Sequence, residues 1–181
     1  MERNIALIAL FAALIAALGL IPKITLGFGV PVTAQSLGVM MCGTVLGARR
    51  GALAVLLFLL LVALGLPLLA GGRGGLGVFT SPSVGFIIGF PIAAFVTGWV
   101  VERWRSAPLT LVAGLASMFG GIVVLYAFGI LGLALVLGKT PIEAALLVTA
   151  FIPGDILKAA IAGMLTAALA KARPDSVLSR A

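Results

Sequence analysis

The sequence predicts an all-α membrane protein of six transmembrane helices. Three observations carry this. Of 181 residues, 62% are hydrophobic and only 9% charged, whereas a soluble globular chain carries about 25% charged residues. Long apolar runs recur along the whole chain, separated by short stretches that hold Pro, Gly, Arg or Lys. A chain this small also has too little interior to hide so much apolar surface from water. There is no polar linker and no internal repeat, so residues 1–181 read as a single integral membrane domain.

A helix needs about 20 apolar residues to cross roughly 30 Å of hydrocarbon. The runs place helices at about 4–20, 33–46, 51–69, 84–101, 109–137 and 142–172. The first run is longer than a signal-peptide core and has no small-x-small cleavage site before a polar domain, so it reads as a retained helix. The second is short and ends at Gly47-Ala48-Arg49-Arg50. The third runs from Gly51 to Leu69, up to a glycine-rich stretch, and the fourth from Val84 to Val101. The fifth and sixth exceed a perpendicular crossing and must tilt, bend or project. Gly120-Gly121 and Pro153 are the expected bends. The polar residues after Arg173 read as a frayed tail.

Basic residues orient the helices, because cytoplasmic loops are enriched in Lys and Arg. Six spans put both termini on one side, with Arg3, Arg49, Arg50, Arg103, Arg105, Lys171, Arg173 and Arg180. The other side holds Lys23, Arg73 and Lys139. The N and C termini are therefore expected in the cytoplasm, with outward loops at about 21–32, 70–82 and 138–141. The net charge of +7 is distributed singly or in pairs between apolar runs, which fits a membrane rather than nucleic acid.

Several chemistries are excluded. With no histidine and one cysteine, Cys42, the chain has no His-based triad or metal site, no CxxC redox pair and no internal disulfide. It lacks the P-loop pattern for ATP hydrolysis. Enzyme activity, a metal and a cofactor are not expected.

Charges inside a span are costly and mark function. One pair qualifies: Asp155 and Lys158, three apart in FIPGDILKAAIAG and so on one helix face. Pro153 donates no backbone proton and disfavours a helical Ile152. Asp155 then lies in the turn after the break, where a helix N-terminus favours an anion. From Asp155 to Lys171 is roughly 24 Å at 1.5 Å per residue, so the pair sits in the outer half of the bilayer. Either the two pair with each other for structure, or they floor an outward pocket and contact a polar ligand.

Gly72 opens a literal GxGxxG, but no βαβ unit surrounds it and no acidic residue stands about 20 positions on, so no dinucleotide site is assigned. The run is either a floppy connector or a mobile loop whose backbone approaches a ligand, with Arg73 as its cation and Ser83 among its hydroxyls. The first outward loop is apolar and is expected to fold back over the bundle. Gln35, which opens the second span, reads either as a ligand contact or as a hydrogen bond to a neighbouring helix. Gly43, Gly47 and Gly51, and Gly85 and Gly89, are small-xxx-small pairs that favour close helix contact. Ala9, Ala13 and Ala17 form such a stripe on the first helix, for internal packing or for docking another membrane protein. Met40, Met41 and Cys42 read as packing, and Tyr126 and the phenylalanines as core or lipid contacts or, alternatively, as contacts to an apolar ligand.

VPVTAQSLGVMMCGTVLGARRGALAVLLFLLLVALGLPLLAGGRGG (Val30 to Gly75), SPSVGFIIGF (Ser81 to Phe90) and IPGDILKAAIAG (Ile152 to Gly163) together resemble the BioY family. That family comprises the biotin-specific substrate-binding (S) components of energy-coupling-factor (ECF) transporters. The GD-x-x-K element is intact from Gly154 to Lys158. The family's GPT-type triplet is replaced by Ser81-Pro82-Ser83, and its GGY-like stretch by Val84-Gly85-Phe86; Ser83 keeps a hydroxyl. The resemblance implies an S-component bundle in the plasma (inner) membrane of a prokaryote, surrounded by lipid, with biotin bound near the outer face. It implies partners too: a transmembrane coupling (T) protein docked on Ala9, Ala13 and Ala17, and two cytoplasmic ABC-type ATPases. Asp155 is expected to accept a ureido N–H, with Lys158 on the ureido oxygen or the carboxylate, and Arg73, Gln35 and Ser83 as further contacts. The alternative is a transporter of another small vitamin or metabolite, acting alone or as an oligomer.

Overall fold

A computed structural model describes residues 2–25, 27 and 29–180. Leu26 and Phe28 of the first loop lie outside the described residues. Six helical rods form the bundle: α1 (Glu2–Leu18), α2 (Gln35–Leu46), α3 (Ala48–Ala63), α4 (Val84–Arg103), α5–α6 and α7–α8. The fifth rod is α5 (Leu109–Met118), a π-helical segment (Phe119–Val124) and α6 (Leu125–Leu137). The sixth is α7 (Pro141–Val148), a 3-10 turn (Thr149–Phe151) and α8 (Ile152–Ala172). Among the described residues, Val84–Arg103, Leu109–Leu137 and Pro141–Ala172 are long and apolar enough to cross a membrane.

The helix α2 covers 12 residues, or roughly 18 Å at 1.5 Å per residue, which is less than a full crossing. Buried on nearly every side by α1, α3, α4 and α8, it needs no lipid-facing length. An apolar helix without a polar face belongs in such a core. Close approach makes this possible. A Cβ at Gly43 would collide with the Ala94 carbonyl and Thr97, so α2 and α4 touch backbone to backbone. Gly85 and Gly89 serve the same purpose on α4, against α6. Gly47 does something different: its φ of 84° makes it the corner between α2 and α3. Arg49 and Arg50 thus belong to the start of α3 rather than to a loop, and Glu102 Oε1 accepts the Ala48 N–H at that start (2.9 Å).

The third helix stops at Ala63, short of the expected Leu69. Gly65 turns with φ 104°, and Pro67 disfavours a helical Leu66. The expected bend at Gly120-Gly121 is the π segment, where Met40 and Thr97 press against the two glycines. The break in the last rod falls at Thr149–Phe151, just ahead of Pro153, which sits in the first turn of α8. The first loop folds into a short antiparallel hairpin, β1 (Ile24–Thr25) with β2 (Pro31–Val32).

The tail is not frayed. Val177, Leu178 and Ser179 are buried, and Ser179 N–H donates to the Val45 carbonyl at 3.0 Å while its hydroxyl donates to the Thr44 carbonyl. These carbonyls end α2 and have no helical partner beyond Gly47, so the returning chain satisfies them.

Candidate functional site

The site lies at the end of the bundle where α2, α4 and α8 begin and α6 passes. Asp155 stands in the first turn of α8 and is 5% exposed. Its Oδ1 accepts from Lys158 Nζ (2.8 Å) and from Ser36 Oγ (3.1 Å), and its Oδ2 accepts from Tyr126 Oη (2.7 Å). Lys158 Nζ also donates to Ser36 Oγ at 3.0 Å. The spacing of three on α8 brings the ammonium back over the carboxylate, and the opening turn of α2 supplies the hydroxyl. The pair is the ion pair found among the described residues. In so apolar a setting, charge-assisted hydrogen bonds of this kind offset the loss of hydration.

A second cation enters from the loop after α3. Leu69 and Arg73 exchange backbone hydrogen bonds (3.0 and 3.1 Å) around Gly71 and Gly72, whose φ values of 81° and 70° allow the tight reversal. Gly75 N–H donates to the Val62 carbonyl at 2.8 Å. The glycine run forms a closed turn hydrogen-bonded to the end of α3. It aims Arg73 at Ser83, with Nη1 donating to Ser83 Oγ at 3.2 Å and Nε to the Ala70 carbonyl at 3.4 Å. Burial pushes the Arg73 guanidinium below its ordinary pKa, because desolvation disfavours the charged form.

These groups line one cavity that opens at the end of the bundle. Its apolar wall is a set of edge-on rings, Phe86, Tyr126 and Phe151, with centroids 5.8–6.4 Å apart. Val30, Val32 and Thr33 of the first loop complete the lining, as the apolar character of that loop led us to expect. One Asp against one Lys and one Arg leaves a formal charge of +1. Among the described residues, two of the three Lys158 ammonium protons and two of the five Arg73 N–H donors have partners. One ammonium and three guanidinium donors therefore stay available.

Similarity to known proteins agrees with this architecture. The sequence profile of the BioY family matches residues 2–175. The chain belongs to the BioY family. A relative called biotin transporter BioY in Rhodobacter capsulatus is 54% identical, over 99% of this chain and all of its own length. Another, in Rhizobium etli, is 58% identical over 90% of each chain. A crystal structure of the S-component for biotin from an ECF-type ABC transporter superposes with a TM-score of 0.89 at 29% identity, covering 94% of this chain and 92% of that one. The BioY chain described here is accordingly an all-α six-helix transporter subunit with the S-component fold, and not an enzyme.

The BioY site gathers Asp155, Lys158, Arg73, Ser83 and Gln35 around one cavity. Gln35, however, spends its amide on scaffolding. Its Nε2 donates to the carbonyls of Ile15 and Leu68 (3.1 Å each), and its Oε1 accepts the Ala70 N–H (2.9 Å). It clasps α1 and the arginine loop to α2, which is the neighbouring-helix alternative. Ala9, Ala13 and Ala17 lie on the exposed side of α1, away from the buried Ala12 and Ile15. The sequence reading did not include Ser36 in the site, and it considered Tyr126 only as an apolar contact, not as a donor to Asp155. The signal for Tyr126 was its being the single tyrosine, on a span with no other polar ring, since a buried phenol seeks a partner. Ser36 carried none beyond following Gln35.

Proposed function

We propose that this chain is the biotin-capturing subunit of a vitamin uptake transporter, taking biotin from the extracytoplasmic side. The carrying observation is the shared cavity: an apolar, ring-walled slot with a net charge of +1, a hydrogen-bonded carboxylate at one place and spare cationic donors at two. Biotin has the complementary parts. Its ureido N–H groups suit Asp155, whose oxygens keep lone-pair capacity beyond the three bonds they accept. Its ureido oxygen suits the remaining Lys158 proton. Its carboxylate suits Arg73, and its fused rings and aliphatic tail suit the Phe86–Tyr126–Phe151 wall. Ser83 orients Arg73.

The same reading places the chain as a multi-pass protein in the plasma (inner) membrane of a prokaryote, both termini in the cytoplasm. Arg3, Ala107 and Arg180 meet at one end of the bundle, opposite the cavity, and the richer basic side faces inward. Transport requires energy from outside the chain. A transmembrane coupling protein docked on the Ala9–Ala13–Ala17 face of α1, driven by two cytoplasmic ABC-type ATPases, supplies it. Lipid covers the remaining apolar surface.

Equilibrium binding of radiolabelled biotin to purified protein tests the assignment. Saturable one-to-one binding, competed by unlabelled biotin, is expected. No binding, alongside thermal stabilisation by a different vitamin, would refute it, because a ligand that binds only the folded state raises apparent stability.

A further inference from the structure

At the end of the bundle away from the biotin cavity lies a second recess that the transport site does not use. It is bounded by the start of α1, the α4–α5 turn and the returning C-terminal segment, with Arg3, Asp175 and Arg180 on its polar side and Leu109, Ala170 and Val177 on its apolar side. Its empty space is about 980 Å³, mouth included. Arg105 stands beside it, near enough for its positive charge to oppose that of Arg180. Among the described residues none of these arginines has a carboxylate within ion-pair distance, Asp175 included. Arg180 Nη2 donates to the Trp104 carbonyl at 3.1 Å, but its Nε is buried with no hydrogen-bond partner among the described residues. A buried donor left unpaired is costly, as is a cluster of like charges. The fold holds both where an anion would relieve them.

Depth and shape indicate which anion. Both tryptophans of the chain stand at this end, Trp99 on α4 and Trp104 just after it, each about half exposed (45% and 39%). Arg103 lies 5.4 Å over the Trp99 ring. Indoles settle at the level of lipid headgroups, so the recess opens there. Its apolar side is formed by Leu109 at the start of α5 together with Ala170 and Val177. A ligand filling it is therefore anionic at one end and hydrocarbon at the other.

We propose that this recess binds the phosphate-bearing headgroup of an anionic lipid, with Arg180 and Arg3 on the phosphate and the acyl chain against Leu109, Ala170 and Val177. The bound lipid anchors the C-terminal segment that closes this end of α2. The site is independent of what occupies the cavity at the opposite end.

Native mass spectrometry and thermal unfolding test this on the full-length protein in neutral detergent. Phosphatidylglycerol, phosphatidylcholine and inorganic phosphate are added separately to the parent protein and to Arg180→Gln, Arg3→Gln and the double variant. We expect retained phosphatidylglycerol and a raised unfolding temperature in the parent. Each single variant should weaken that binding about fivefold, and the double variant about twenty-fivefold, as expected for basic residues at a membrane surface. Phosphatidylcholine should give much less. Arg3 is exposed at the first turn of α1 and its replacement spares the packing, so that variant decides if Arg180→Gln unfolds. Unchanged lipid affinity in Arg3→Gln and in a folded Arg180→Gln would overturn the proposal. So would equal retention of both lipids, or equal stabilisation by inorganic phosphate, which would make the recess a free-anion site.

Discussion

Replacing Asp155 by Asn separates the two meanings that an ion pair in an apolar bundle can have. Asparagine keeps the volume and one acceptor oxygen but loses the charge. Three donors converge on the carboxylate: Lys158, Ser36 and Tyr126. Ser36 and Tyr126 hydroxyls can each rotate to accept instead of donate, but Lys158 loses the counter-charge of its 2.8 Å ion pair, so the unfolding temperature falls as well. What biotin loses is one charge-assisted bond to a ureido N–H, worth about 1.5–3 kcal/mol, or about 10- to 150-fold in affinity. The cavity charge also rises from +1 to +2, which favours the carboxylate end of biotin and offsets part of the loss. The net expectation is a Kd raised about 10- to 100-fold, with the protein still folded. Radiolabelled-biotin binding and thermal unfolding on the same preparations provide the assay. A Kd within twofold of the parent, together with a clear drop in unfolding temperature, would refute the reasoning. The pair would then be a structural strut beside the site and not part of it.

Arg73→Gln is expected to weaken biotin by about 1–2 kcal/mol through loss of a charge-assisted bond, while hardly changing the affinity of biotinamide, which lacks the carboxylate; isothermal titration with both ligands checks this. Gln35→Leu leaves the Ala70 N–H and the Leu68 carbonyl without their partner and should cost about 2–4 kcal/mol of stability, read as a lowered denaturation midpoint. Ala13→Trp places a bulky ring on the exposed side of α1 and should reduce biotin uptake and co-purification of the coupling protein while biotin affinity stays unchanged. Lost affinity with normal assembly would return that residue to internal packing.

The helix count and the polar site residues on α8 were legible because membrane chemistry is severe. A span must be apolar over a set length, so a single Asp and Lys inside one stand out without any structure. The Asp155–Lys158 spacing also fixes their common face, since a helix of 3.6 residues per turn permits nothing else. Other features were not legible because they depend on who lies opposite. Gln35 has the same side chain whether it meets a ligand or three backbone groups; only the arrival of Leu68 and Ala70 beside it shows that its amide bonds backbone groups. The glycine run 71–75 has a composition that fits motion, yet a single Leu69–Arg73 bridge and the Val62 carbonyl close it. The tail after Arg173 is polar by composition and still buries Val177 and Leu178, because the last carbonyls of α2 needed donors.

By itself, the sequence determined the solvent: a chain with so few charges and such long apolar runs resides in lipid, and lipid leaves a helical bundle as its form. It also determined where the costly charges lie along the chain. The tertiary structure decided which of those charges share a cavity, that Ser36 and Tyr126 hold the carboxylate, and that among the described residues the two arginines at the far end have no carboxylate within ion-pair distance. Apolarity is a property of single residues and survives in a linear reading. Pairing is a property of positions more than a hundred residues apart, such as Ser36 and Asp155, and exists only once the chain has closed on itself.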